Sequence, residues 1–196
     1  MGNTDKHYWE NRWQQQQTGW DLGMVSPPLK QYIDSLTDKG LRILIPGCGN
    51  AYEAHYLIDR GFTNVTVIDI APSLIDVLTQ SFEKAIATGY FKAICGDFFA
   101  HRGEYDLILE QTFFCAINPS LRQKYADHCY RLLAPGGKVA GILFNCEFEG
   151  GPPFGGDRTE YETYFNPVFH SVKMEPCLTS AAPRAGRELF IELVKS

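Results

Sequence analysis

The chain has 196 residues, of which 18 are basic and 23 acidic, and its formal net charge is −5 at pH 7. An acidic chain without a basic stripe argues against a nucleic-acid or anionic-membrane partner. No apolar run reaches the length of a membrane span, and the six cysteines form no CxxC pair. We therefore expect a cytoplasmic, monomeric protein with reduced thiols and no metal site.

The apolar pattern predicts strands and helices that alternate along one domain spanning residues 1–196. Short apolar, often β-branched runs typical of buried strands lie at 41–46, 65–70, 93–95, 105–110 and 138–144. Helices are predicted over 50–60, after Pro72 and after Pro119. A loop rich in glycine and proline follows at 147–158, and two closing strands are predicted at 168–174 and 188–194. This order predicts an α/β fold with a doubly wound, mostly parallel seven-stranded sheet.

Candidate ligand contacts lie where the first three strands end, because ligands bind beyond the carboxyl ends of such strands. Gly47 and Gly49, in LRILIPGCGNAY, allow the backbone to approach a ligand closely. Asp69 follows 22 residues after Gly47 and can accept hydrogen bonds from both ribose hydroxyls. Asp97, in GDFF, can accept from an adenine amino group while the Phe98 backbone N–H serves a ring nitrogen. The glycine pair alone is equally an ordinary tight turn, and Asp97 alone is more typical of a turn aspartate. Together with Asp69, however, they predict an adenosine pocket.

An adenosine pocket can hold ATP, NAD or S-adenosylmethionine. ATP is disfavoured because the chain has no GxxxxGK[ST] loop. NAD is disfavoured because Tyr52 occupies the position of the third fingerprint glycine. S-adenosylmethionine carries no phosphates, so a turn that binds it does not need the third glycine. The PGGK turn, a strand and two closing strands also favour a class I methyltransferase arrangement.

Several longer motifs make the resemblance more specific. They are YWENRW, GWDLG, IPGCG, DIAPS, GDFF, LEQTFFCAINPSLR, LLAPGGK and GGPPF, in this order over about residues 8 to 155. With them the chain resembles the thiopurine S-methyltransferase family, and most closely its plant-type halide/thiol methyltransferase branch. The resemblance implies S-adenosylmethionine as cofactor, with contacts at Trp9, Trp13, Trp20, Gly47, Asp69, Asp97, Phe98 and Gln111. Gln111 departs from the family, whose members resemble one another in having an arginine or an aromatic residue there.

The tryptophans are predicted to form an N-terminal helical lid over residues 1–30. Many methyltransferases hold the methionine end of the cofactor with an acid ahead of the glycines, and Ile45 and Pro46 stand there instead. Trp9 and Trp13 are four residues apart and share one helical face. Indole faces attract a sulfonium cation, and indole N–H groups bind a carboxylate. For Trp9, anchoring of the helix to the core is an equal alternative.

The resemblance implies a small thiol or halide as methyl acceptor, with thiopurine or metalloid methylation and non-catalytic cofactor binding as alternatives. Attack of an anion on a sulfonium cancels both charges, so a dry pocket and in-line positioning suffice and no dedicated base is expected. Glu110 is the one candidate base, although a solvated or cofactor-facing role is preferred for it. Phe113, Phe114 and Phe154 are expected to wall the acceptor site, with ordinary core packing as a strong alternative for Phe113. Arg184 steers an anion or is simply a surface arginine.

Overall fold

The computed structural model describes residues 5–196, which form one seven-stranded sheet in the order β3-β2-β1-β4-β5-β7-β6. The strands are β1 (Ile43–Pro46), β2 (Val65–Asp69), β3 (Phe91–Cys95), β4 (Tyr105–Gln111), β5 (Leu133–Phe144), β6 (Ser171–Pro176) and β7 (Glu188–Val194). The first five strands pair in parallel, whereas β7 is antiparallel to both β5 and β6. The predicted mostly parallel α/β sheet is confirmed.

Helices cover both faces of this sheet. Those of the described residues are α1 (Lys6–Gln14), α2 (Pro27–Ser35), α3 (Tyr52–Asp59), α4 (Pro72–Ser81), α5 (Glu83–Ala87), α6 (Arg122–Leu132) and α7 (Arg158–Phe165). Alternate β1 side chains point to opposite faces: Ile43 and Ile45 pack with α2–α5, whereas Leu44 packs with α6 and α7. The two cores hold the strand ends in place from both sides.

Three of these helices, α2, α5 and α7, were not predicted from the sequence. Four strands begin elsewhere than predicted: β1 at Ile43 rather than 41, β3 at Phe91 rather than 93, β5 at Leu133 rather than 138, and β6 at Ser171 rather than 168. α7 had a readable start signal, because Asp157 caps it by accepting a hydrogen bond from the Glu160 N–H at 2.9 Å. The strand order reverses between β1 and β4, so a crevice is expected beyond their carboxyl ends.

Within residues 5–196 no helix is long and apolar enough to cross a membrane. The six cysteines, all in this part of the chain, are free thiols. Cys48, Cys115 and Cys129 are buried, and burial raises the pKa of each thiol. These thiols are therefore protonated core groups rather than nucleophiles.

Candidate active site

A cavity of about 570 Å³ opens beyond the carboxyl ends of the parallel strands. It brings together residues that the sequence places far apart, from the N-terminal helix to the segment before β7. The predicted site residues that line it are Trp9, Trp13, Trp20, Gly47, Gly49, Asp69, Asp97, Phe98 and Arg184. The volume falls within the range of small-molecule sites.

The glycine turn after β1 forms the floor of this cavity. Gly47 and Gly49 have φ angles of 56° and 51°, in the left-handed region that favours glycine. A Cβ on Gly47 would lie 2.3 Å from the Phe113 ring, and one on Gly49 would lie 3.7 Å from the Trp13 ring. The Phe113 ring therefore approaches the turn only because Gly47 has no side chain, whereas the Trp13 ring lies at ordinary contact distance from position 49.

Asp69 ties the end of β2 to this turn. One carboxylate oxygen accepts from the Ala71 N–H at 3.0 Å, and the other lies 3.5 Å from the Gly49 nitrogen. Burial raises the pKa of Asp69, and the backbone hydrogen bonds partly oppose that shift. The carboxylate thus lies in the cavity wall beside the glycines, as the spacing predicted.

Asp97 and Phe98 form a neighbouring part of the wall, after β3. The Asp97 carboxylate accepts from the Phe99 N–H at 2.9 Å and starts a short 3₁₀ turn. Phe98 is buried, and its ring stands edge-on to Phe113 with the centroids 5.1 Å apart. Asp97 is therefore exposed at the cavity edge while Phe98 packs beneath it.

The three tryptophans form the wall that faces the glycines. The Trp20 ring stands nearly perpendicular to those of Trp9 and Trp13, at centroid distances of 5.6 and 6.3 Å. Glu10 docks the helix by accepting a hydrogen bond from the Ser73 N–H at 3.2 Å, in the first turn of α4. The predicted helix is present as α1, and the first four residues of the predicted lid segment lie outside the described residues.

Gln111 lies in a smaller recess of about 60 Å³ that shares both glycines with the cavity. Polar groups of Asp21, Asn50 and Tyr52 also line this recess, where Asp21 accepts hydrogen bonds from the other two. The Gln111 side-chain oxygen is buried and has no hydrogen-bond partner among the described residues. This oxygen is therefore free to accept a hydrogen bond from a polar group that enters the recess.

The expectation that Glu110 is solvated or faces the cofactor is wrong. Glu110 is 0% exposed and lies beneath the turn that follows β4. One carboxylate oxygen accepts from the N–H groups of Phe113 and Phe114, each at 2.8 Å, and the other accepts from the Tyr125 hydroxyl at 2.6 Å. Burial raises the pKa of Glu110 to about 7. These contacts make it an organiser of the turn.

The expected aromatic walls also need correction. Phe114 is 1% exposed and packs edge-on to Tyr125 and Tyr161 in the core. Phe154 is not among the described residues that line the cavity, whereas Phe113 is. Thr112 has a φ of 60°, so the chain leaves the strand alternation here and the two adjacent rings point to different places. The cavity is also lined by Phe144, Phe148, Pro152 and Pro153, which were not predicted as site residues, although the GGPPF motif contains the two prolines.

Arg184 lines the cavity and is not a surface residue, since only 8% of it is exposed. Its guanidinium donates to the Trp20 carbonyl at 2.6 Å and lies 3.5 Å from the Glu188 carboxylate. It also lies 5.5 Å from the centre of the Phe144 ring. Arg184 therefore joins the tryptophan wall to the start of β7.

Among residues 5–196, no cluster of His, Cys, Asp and Glu could hold a metal ion.

The fold is that of class I S-adenosylmethionine-dependent methyltransferases. It is similar to the crystal structure of Burkholderia thailandensis 1,6-didemethyltoxoflavin-N1-methyltransferase with bound 1,6-didemethyltoxoflavin and S-adenosylhomocysteine, with a TM-score of 0.72. The two chains are 16% identical, and the similarity covers 97% of this chain and 87% of the other. At this identity the likeness establishes the fold alone.

Residues 4–188 match the thiopurine S-methyltransferase family, and the chain belongs to it. It is 32% identical over 194 residues to probable thiol methyltransferase 2 of Arabidopsis thaliana, covering 96% of this chain and 84% of that protein. It is 31% identical over 184 residues to thiocyanate methyltransferase 1 of Brassica oleracea, covering 92% and 81%. The predicted family is confirmed, and the protein is an S-adenosylmethionine-dependent methyltransferase.

The raised pKa of Glu110 predicts a pH dependence of stability. Its pKa is about 7 when folded, against an ordinary value of 4.5. Between these values the folded chain keeps a proton that the unfolded chain loses, so the free energy of unfolding falls with rising pH. Glu110→Gln removes this pH-dependent fall, because glutamine does not titrate. Between pH 5 and pH 8 the free energy of unfolding of the variant should therefore rise relative to that of wild type by on the order of 1–3 kcal/mol.

Urea unfolding of both proteins across this pH range measures the difference. A difference that stays constant with pH would mean that Glu110 ionises normally in the folded protein.

Proposed function

We propose that this enzyme transfers the methyl group of S-adenosylmethionine to a small anionic thiol or halide acceptor. The observation that carries the proposal is one continuous cavity with a polar and an apolar part. Carboxylates lie beside the glycine turn, whereas aromatic rings, two prolines and Arg184 surround the other part. The names of the thiol and thiocyanate methyltransferases that it resembles support the same acceptor class.

The polar part suits the nucleoside of the cofactor. Asp69 would bind the ribose hydroxyls, while Asp97 and the Phe98 backbone would bind adenine. Gly47 and Gly49 would let the chain pass close to the ligand, since neither carries a Cβ. The left-handed φ angles of both glycines and the cavity beside them support this placement.

The recess beside the glycines suits the methionine end of the cofactor. The unpartnered Gln111 oxygen would accept a hydrogen bond from the ammonium group, and the nearby Asp21 carboxylate would add an opposite charge. The Trp13 ring next to Gly49 would face the sulfonium, and Trp9 and Trp20 would close over it. A glutamine oxygen favours the ammonium, whereas an arginine at this position would favour the carboxylate.

The apolar part suits a small acceptor that is already an anion. Phe113, Phe144 and Phe148 supply apolar walls, and Arg184 supplies positive charge. Arg187, exposed at the cavity edge with its guanidinium 4.9 Å from the Phe148 ring centre, adds a second cation. Low polarity around an attacking anion raises its reactivity, because few dipoles are available to stabilise it.

The protein's part in the reaction is to position the reactants and to exclude water. Bound S-adenosylmethionine supplies an activated methyl carbon. The aromatic walls and Arg184 would hold the acceptor in line with that carbon, and in-line positioning accounts for a large share of such rate enhancements. No side chain needs to move a proton when the acceptor is an anion. Glu110, whose hydrogen bonds go to the turn and to Tyr125, is not required as a base.

We also propose that the chain is one domain in which residues 1–30 act as a lid over the bound cofactor. The docking of α1 through Glu10 and the hydrogen bond from Arg184 to the Trp20 carbonyl support this role. We further propose that the protein is a monomer in the cytoplasm with no nucleic-acid or membrane partner. Its net charge of −5 supports this proposal.

The cofactor assignment predicts the effect of removing the Asp69 carboxylate. Asp69→Ala should weaken S-adenosylhomocysteine binding by about 1.5–3 kcal/mol, the worth of hydrogen bonds to a charged acceptor. Calorimetric titration measures this, and Asp76→Ala, an exposed aspartate on α4, serves as the matched control. NAD should not bind to the wild-type protein. Unchanged affinity in Asp69→Ala would place the ribose elsewhere, and tight NAD binding would overturn the cofactor assignment.

The acceptor assignment predicts how the rate depends on pH. With 2-mercaptoethanol and with thiophenol, kcat/KM should rise with pH toward the pKa of each thiol, because the thiolate is the nucleophile. Two separate midpoints are therefore expected in steady-state assays with labelled cofactor. A shared midpoint for both thiols, or faster methylation of an amine of similar size, would show that a base of the enzyme is at work. Faster methylation of a thiopurine would favour that acceptor instead.

A further inference from the structure

Arg122 is a buried arginine that has no part in the site as described so far. It begins α6, is 1% exposed, and is not among the described residues that line the cavity. Burying a guanidinium is costly unless its charge and its N–H groups find partners. The partners of Arg122 therefore indicate what this residue does.

The Arg122 guanidinium binds three oxygen atoms at once. One terminal nitrogen donates to the Glu160 carboxylate at 2.7 Å. The other donates to the backbone carbonyls of Gly155 at 2.8 Å and Phe154 at 3.3 Å. The cation also lies 5.0 Å from the centre of the Phe114 ring. The two terminal nitrogens of the planar fork reach these separated oxygens, whereas a lysine carries all its donors on one nitrogen.

Two of these oxygens belong to the loop 147–157, which joins β5 to α7. The same loop contributes Phe148, Pro152 and Pro153 to the cavity wall. The Phe154 N–H donates to the Cys115 carbonyl at 2.7 Å, so the loop is also tied to the turn that carries Phe113. Arg122 thus holds, from outside the cavity, the loop that shapes its apolar part.

The nucleoside part of the site is held by other means. Gly47, Asp69 and Asp97 lie at the ends of β1 to β3, and the Asp69 and Asp97 carboxylates bind backbone N–H groups near those strand ends. The hydrogen bonds of Arg122 go instead to the loop and to α7. A substitution at Arg122 should therefore affect the acceptor part of the cavity more than the cofactor part.

We propose that Arg122 is a positioning residue that sets the size of acceptor the enzyme takes, by fixing the loop 147–157 against the cavity. The identity of the site rests on the proposed function above. With the loop fixed, Pro152 and Pro153 leave room for a small anion held in line. With the loop loosened, a small acceptor loses its alignment, and a bulky acceptor gains room that offsets part of its loss.

The test compares wild type with Arg122→Lys, Arg122→Met and the control Arg158→Lys. Arg122→Lys keeps the charge without the fork. Arg122→Met fills a similar volume without a buried charge, which keeps a folded variant available. Arg158 is a matched control because it begins α7 and pairs with Glu162, yet its side chain is 58% exposed. Urea unfolding establishes that each variant is folded before its kinetics are measured.

In both Arg122 variants, kcat/KM for bisulfide should fall by about tenfold or more, while that for thiophenol falls by less than about threefold. The Kd of S-adenosylhomocysteine should stay within about twofold of wild type, and Arg158→Lys should match wild type throughout. Parallel losses for both acceptors, or a matching loss of S-adenosylhomocysteine affinity, would overturn the proposal. A purely structural role would produce those parallel losses.

Hydrogen exchange provides a readout that does not depend on the acceptor. The amides of Phe154 and Gly156, which are hydrogen-bonded in the wild-type loop, should exchange about tenfold faster in both Arg122 variants than in Arg158→Lys. Unchanged exchange in this loop would overturn the proposal. A wild-type enzyme that methylates no sulfur acceptor would instead overturn the proposed function, and the exchange result would still decide the role of Arg122.

Discussion

The close approach of the Phe113 ring to the backbone of Gly47 is the contact on which the rest of the site depends. A Cβ at position 47 would lie 2.3 Å from that ring, so the contact exists only because this residue has no side chain. Glu110 holds the Phe113 amide from beneath through a 2.8 Å hydrogen bond. Gly141 on β5 makes room for Glu110, since a Cβ there would lie 2.3 Å from the Glu110 carbonyl oxygen. Three adjacent strands, β1, β4 and β5, thus set one wall of the cavity.

This arrangement gives the cavity two chemically different parts. Near the glycines, carboxylates and backbone groups face the part that we propose binds the nucleoside. Beyond Phe113, rings and prolines face the part that we propose binds the acceptor, and Arg184 brings a positive charge that is shared with the Trp20 carbonyl and Glu188. In the proposed reaction, an anionic acceptor must be attracted to the cavity, aligned with the methyl carbon and kept from water. The residues proposed for these three tasks also hold the fold together.

The site residues at strand ends could be predicted from the sequence, whereas those in irregular segments could not. Gly47, Asp69 and Asp97 follow β-branched or apolar runs, and a parallel sheet brings the ends of such runs to one edge. Phe113 and Phe114 could not be told apart as wall and core residues because the left-handed Thr112 breaks the strand alternation that assigns faces. The role of Arg184, as an anion-steering or a surface residue, was left open because its partner, the Trp20 carbonyl, lies 164 positions earlier in the chain. Close packing of β4 at Glu110 depends on Gly141, which lies 31 positions later in the sequence, so no local pattern reveals it.

The most direct test of this account is the affinity of Gly47→Ala for S-adenosylhomocysteine, measured by calorimetric titration. The control is Gly89→Ala, because Gly89 has a similar left-handed φ of 76° but no atom within 4 Å of its added Cβ. Both variants carry the same backbone strain, of about 1 kcal/mol. Only Gly47→Ala should also weaken binding, by about tenfold or more, because the methyl group must displace Phe113 or the turn. Wild-type affinity in Gly47→Ala would contradict the account.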